Sequence, residues 1–157
     1  AGDIAVGVLP EESQADLKSM RLWQDRVMLA VGREHRLLAL PRIAPEDLLG
    51  EVFLVQRDPN ASALHRFLIG RVLGQEPSRS LLLDLNENGL MKAVGAGKGI
   101  ALVCRNQVEP ADPSIVLRPI EATGAAFWIR AYWRDEQPVG ALAQLLDCFQ
   151  GKEPREA

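Results

Sequence analysis

Along this chain the spacing of apolar positions changes several times, and each change marks an element. In "DIAVGVLP" (3 to 10) Ile4, Val6 and Val8 alternate with small residues, which predicts a short buried strand closed by a proline. After the polar link "EESQADL" (11 to 17), the run "MRLWQDRVMLAVGREH" (20 to 35) is apolar at Leu22, Val27, Leu29 and Val31, with Met28 and Ala30 between. That pattern predicts an extended segment buried on both faces, although its length alone would also allow a helix. "PRIAPEDLLG" (41 to 50) reads as one helical turn started by proline and ended by glycine, with Glu46 and Asp47 where the helix dipole favours acids. "EVFLVQ" (51 to 56) is a strand rich in β-formers.

The period then lengthens. Leu64, Phe67, Leu68 and Val72 recur at i, i+3, i+4 and i+8, which predicts a helix capped by Asn60 or Ser62 and stopped by Gly74. "SLLLDL" (80 to 85) is a strand, and the break "NENG" (86 to 89) precedes a helix carrying Leu90, Met91 and Val94. The strands "GIALVC" (99 to 104), "SIVLRPI" (114 to 120) and "AFWIRAYWR" (126 to 134) follow. Val139, Leu142, Leu145, Leu146 and Phe149 predict a closing amphipathic helix, and "GKEPREA" (151 to 157) a frayed charged tail. Because strands and helices alternate in the middle of the chain, an α/β fold is expected, with a mostly parallel sheet covered by helices on both faces.

Lys98 lies in a glycine-rich stretch, "AVGAGKGIALV" (93 to 103), which invites a phosphate-loop reading. Such a loop requires Ser or Thr after the lysine, and Lys98 is followed by Gly99; a dinucleotide fingerprint runs from strand to helix, and here the order is reversed. The stretch is instead a helix stop at Gly95 or Gly97, with Gly99 letting the next strand enter a crowded sheet.

Composition narrows the function classes. The chain has 157 residues, 47% of them hydrophobic, enough to bury a core without disulfides or metals. Its apolar runs fall far short of the roughly 20 residues that cross a bilayer, and no basic-plus-apolar leader precedes Gly2, so a cytoplasmic protein with no membrane partner is expected. With 18 basic and 21 acidic residues scattered along the chain and a formal charge of -3, it lacks the clustered basic face that grips a phosphate backbone. Cys104 and Cys148 lie in no C-x-x-C or C-x-x-H spacing and read as free buried thiols. No Cys, His or carboxylate cluster suggests a metal, and no cofactor is called for. With no G-x-S-x-G elbow and no base beside Cys104, the chain is not expected to be an enzyme.

Several motifs occur together and in order. "LMKAVGAGKGIALV" resembles the V-x-A-G-x-G-I-A passage from helix to strand in the effector-binding domain of LysR-type transcriptional regulators. "GDIAVGV" (2 to 8) is similar to that family's G-x-[LI]-D-[LI]-A-[IV] strand, and "LWQDRVMLAVGREHRLL" (22 to 38) to its hinge strand ending in P-x-x-H-P-L. "APEDLLGEVFLV" (44 to 55), "LRPIEA" and "FWIRAYWRDEQP" (ending at 138) resemble later landmarks, so the resemblance runs from Gly2 to about Gln150. Gly32-Arg33 and Arg36 replace the usual prolines, and Cys104 stands where a proline is common.

The resemblance implies a fold like type 2 periplasmic binding proteins. Residues 1 to 10 would end the first regulatory lobe, 11 to 32 would be hinge and crossover strand, 33 to 125 the second lobe, and 126 to 150 the return strand and a first-lobe helix. The winged helix and the start of the first lobe have no counterpart in this sequence. It further implies a homodimer or homotetramer that reaches promoter DNA only through that winged helix. A small molecule, with an organic acid as the expected class, would bind between the lobes and bias their orientation. The alternative is a free-standing solute-binding or oligomerisation module of the same fold.

Ligands of open α/β sheets bind beyond the carboxyl ends of the strands, where helix N-termini present unpaired N–H groups. Two such places occur. Gln56, Arg57, Asn60 and Ser62 follow the strand at 51 to 56 and offer amide, guanidinium and hydroxyl donors to an anion; Asn86, Glu87 and Asn88 follow the strand at 80 to 85. Cys104 borders the same rim. Each also has a plain structural reading, as helix caps for the asparagines and Ser62 and as a surface ion pair for Arg57 with Asp58. His65 reads as solvated or partly packed.

Overall fold

A computed structural model describes residues 4 to 9, 14 to 106, 112 to 134 and 144. The expected closing helix with its Cys148 and the tail from 151 lie outside the described residues. The chain forms two compact units: residues 1 to 25 with 127 to 157, and Arg26–Ala126.

In the first unit β1 (Ala5–Gly7) pairs antiparallel with β7 (Ala126–Trp133), Ala5 opposite Tyr132 and Gly7 opposite Arg130, and the sheet continues to the first half of β2 (Lys18–Gly32). Leu22 and Ala131 form its buried centre, with Ile4, Met20, Trp23 and Trp133 packed around them. The Arg21 guanidinium lies 4.9 Å from the Trp128 ring centre, within cation–π range. Alternation suggested that β1 is buried. It is not: Val6 is 46% exposed, and among the described residues β1 pairs with β7 alone.

The second unit is built on the second half of β2, whose neighbours are β5 (Ala101–Cys104) and β6 (Ile115–Pro119), both antiparallel to it. Beyond β5 lies β3 (Val52–Gln56), joined through a parallel bridge between Phe53 and Ile100, with Leu54 N donating to Ile100 O and Ile100 N to Val52 O, each at 2.8 Å. β4 (Arg79–Leu83) pairs parallel with β3 on its far side. The sheet is therefore mixed, which corrects the expectation of a mostly parallel one. Among the described residues only the middle of the chain has helical crossovers, and parallel neighbours need them. The stretch between β2 and β3 holds two short 3-10 turns, Arg36–Ala39 and Pro45–Leu48, and no α-helix.

Two helices cover this sheet. α1 (Pro59–Leu73) ends at Gly74, in the left-handed region at φ 67°, as the sequence suggested. Its cap differs from both expected residues: Asp58 Oδ1 accepts from Asn60 N at 3.0 Å and Ala61 N at 3.1 Å. Pro59 explains the difference, since a residue with fixed φ and no N–H fits the first helical position and puts the cap one residue earlier. α2 (Glu87–Gly95) starts inside the "NENG" break, with Asn86 Oδ1 accepting from Gly89 N at 2.9 Å.

Leu90 and Val94 of α2 pack on Ala30, Leu54, Ala101, Val103 and Ile115. Because strand side chains alternate, Phe53, Leu102 and Cys104 face the other way, and Leu102 and Cys104 there meet Leu64, His65 and Leu68 of α1. Both faces of the sheet are thus covered.

The glycine-rich stretch stops α2 and admits β5. Gly97 takes φ 79°, and a Cβ on Gly99 would stand 2.6 Å from the carbonyl oxygen of Val52. No helix among the described residues is long and apolar enough to cross a membrane.

Candidate functional site

Parallel strands joined by helical crossovers bring helix N-termini to the strands' carboxyl edge. At that edge the ends of β3 and β5 and the first turns of α1 and α2 line a cavity of about 210 Å³ that opens to solvent. Its apolar wall comes from Ala61, Leu64 and Leu68 of α1 and Leu102 and Val103 of β5; its polar groups are Gln56, His65, Glu87 and Cys104.

Gln56 is the last residue of β3 and is buried; its Nε2 donates to Leu85 O at 3.0 Å, which leaves Oε1 as its acceptor. His65 sits in the second turn of α1 and is only 5% exposed. Burial holds its pKa below the ordinary histidine value, against the opposing pull of the Glu87 charge and of a hydrogen bond to the Leu102 backbone. The lowered pKa leaves the ring neutral at pH 7, and a neutral imidazole has one donor and one acceptor nitrogen. Glu87 opens α2 and is exposed to solvent on its outer side. Cys104 ends β5 and is buried.

Of the residues singled out from the sequence, Gln56, Glu87 and Cys104 meet in this cavity. Arg57, Asn60, Ser62, Asn86 and Asn88 do not line it. Arg57, Asn60 and Asn88 are exposed, Ser62 is half-buried in the first turn of α1, and Asn86 is occupied as the cap of α2. His65 is the main residue that sequence reasoning missed, and the reading of it as solvated or partly packed is corrected by its burial. The buried stripe of α1 is His65, Leu68, Ile69 and Val72, at i, i+3, i+4 and i+7, whereas the sequence reading began the stripe at Leu64. Allowing a histidine on the apolar stripe would have found it.

A larger groove of about 790 Å³ opens at the opposite edge, between Gly32–Arg36, Glu51, Gly95–Gly97 and Pro113–Ser114. Its charges are largely committed: Glu51 contacts Arg36 and lies 3.2 Å from His35 Nε2, and Arg33 Nε donates to Pro113 O at 2.8 Å. Asp112 beside it accepts from the Ser114 hydroxyl at 2.6 Å and from Ser114 N at 2.9 Å, which holds its carboxyl below the ordinary range. Among the described residues no group of three or more His, Cys, Asp or Glu could hold a metal ion.

Residues 1 to 152 match the family model described as LysR substrate binding domain. No curated protein matches the chain in sequence. Among solved structures, the chain is similar to the regulatory domain of CcmR from Synechocystis PCC6803 in complex with 2-PG, at 17% identity and TM-score 0.74, covering 94% of this chain and 71% of that one. The effector binding domain of QuiR in complex with shikimate is similar at 14% identity and TM-score 0.70, covering 94% and 69%. A full-length BenM mutant is similar at 19% identity and TM-score 0.71, covering 99% of this chain and 54% of that one. At these identities the structural likeness establishes the fold.

Proposed function

The chain belongs to the LysR substrate binding domain family, and from that premise we propose that it is the ligand-sensing part of a transcription regulator. The observation that carries the reading is the pocket at the carboxyl ends of β3 and β5, where two helices begin. It is supported by the CcmR and QuiR domains, which are described as complexes with 2-PG and shikimate. On this reading the effector docks at the mouth of the cavity, in the second regulatory lobe, and an organic acid would place its carboxylate outside the cavity near Arg57. Binding then biases the orientation of the lobes, and the DNA-binding part of the regulator reads out the bias. The ligand does so only by binding one orientation better than the other. The sensor works as a homodimer or homotetramer in the cytoplasm, and no step requires turnover of the ligand.

A thermal-shift screen of the whole gene product against small organic acids, amines and amino acids tests this reading. Stabilisation that grows with ligand concentration, together with altered retention of promoter DNA, is the expected result. An acid that acts through Arg57 loses its effect in Arg57→Ala. A well-folded protein that none of these compounds stabilises would refute the sensor assignment.

A further inference from the structure

Resting on the sensing role of this cavity, we propose that the group it receives is a protonated amine, so that the effector is a small amino compound with a short aliphatic body; a carboxylate, where the compound has one, stays outside near Arg57.

Hydrogen-bonding capacity and charge both point this way. Apart from the Cys104 thiol, a weak donor, the polar groups of the lining among the described residues present acceptors: the Glu87 carboxylate, Gln56 Oε1, and one ring nitrogen of a neutral His65. A carboxylate placed there would face like charge and find almost no donors, whereas an ammonium has three N–H groups and no acceptor. Among the described residues Glu87 is the one formal charge in the lining.

The helix ends do not reverse this balance. Bare N-termini attract anions, but the α1 terminus already holds the Asp58 carboxylate on its Asn60 and Ala61 N–H groups. At α2 the Gly89 N–H is taken by Asn86, and Glu87 adds an acid to the first turn. Neither end is therefore bare, and Glu87 brings a carboxylate into the lining. The remaining wall, Leu64, Leu68 and Leu102 among others, suits a few methylene groups.

Titration calorimetry of the whole chain with n-butylammonium and with butyrate at matched ionic strength tests the class. Butylammonium binds and butyrate does not. Glu87→Gln, a surface change at a helix start, weakens the amine roughly tenfold or more, as expected for loss of a charge-assisted hydrogen bond. Leu64→Trp, or Ala61→Met if the tryptophan variant does not fold, fills the cavity and abolishes binding. Butyrate binding that is lost on filling the cavity would leave the sensing site standing and overturn the amine. Amine binding unchanged in Glu87→Gln would overturn it as well. Binding of neither probe, or binding that survives a filled cavity, would remove both the amine and the cavity as the sensing site.

Discussion

Gly99→Ala tests how the two strands that end at the cavity are held in register. The added methyl would stand 2.6 Å from Val52 O and 2.8 Å from Leu54 Cδ2. Leu54 can turn aside; Val52 O cannot, because it is the acceptor of the Ile100 N–H at 2.8 Å in the bridge that joins β3 to β5. Forcing one methyl into a packed site costs about 1–3 kcal/mol. Stretching that hydrogen bond removes about 0.5–1.5 kcal/mol more. The sum is about 1.5–4.5 kcal/mol, which at a urea dependence of about 2 kcal/mol per molar lowers the unfolding midpoint by about 0.8–2.3 M. Two other glycines calibrate the measurement. Gly50→Ala meets nothing within 4 Å and has an ordinary φ, so it changes stability by less than about 0.5 kcal/mol. Gly97→Ala has open space but φ 79°, and costs about 1–2 kcal/mol through backbone strain alone. A Gly99→Ala midpoint indistinguishable from that of Gly50→Ala would refute the close-approach argument.

Asp58→Ala removes the acceptor of two N–H groups and costs about 1 kcal/mol in urea unfolding, while Ser62→Ala, at a position inside the helix, costs much less. Asp58→Asn keeps the cap and removes the charge, so stability stays within about 0.5 kcal/mol, while calorimetry shows weaker butylammonium binding; an unchanged affinity would show that this carboxylate does not act on the mouth. For His65 the folded pKa lies below the ordinary value of about 6.5, so the unfolded chain takes up the proton first. Stability present above pH 6.5 is therefore lost as pH falls from there toward the lowered value, and His65→Asn flattens that part of the profile; a wild-type midpoint independent of pH between 7 and 5 would contradict it.

Much of the fold was legible because apolar spacing reports burial directly. β3, α1, β4, α2 and β5 follow from it, and so does the glycine stop of each helix. Three features were not. The direction of β2 and β6 depends on which connections lack a helix, and the residues from 33 to 51 gave a turn signal whose consequence for strand direction emerges only in three dimensions. The cap of α1 fell on Asp58 because Pro59 fixed the start, although Asn60 and Ser62 have equal intrinsic preference for a cap. His65 was passed over because a histidine on an apolar stripe is tolerated only when it stays neutral and finds a partner, and the Leu102 backbone that provides one is distant in sequence.

The candidate site shows the same division between topology and chemistry. In the β3–α1–β4–α2–β5 segment each helix returns the chain to the start of the next strand, so both helices begin at the carboxyl edge even though they cover opposite faces. One ligand at that edge can therefore approach α1 and α2 together, and Gln56, Glu87 and Cys104 converge there for the same reason. Topology would have made this edge favourable to anions, since two helix dipoles point their positive ends at it. Within the lining that preference is opposed by a single position, Glu87, the first residue of α2. A neutral first residue of α2 would build the same helices around the same cavity and present it to a carboxylate; with Glu87 in the lining, an ammonium is the better partner.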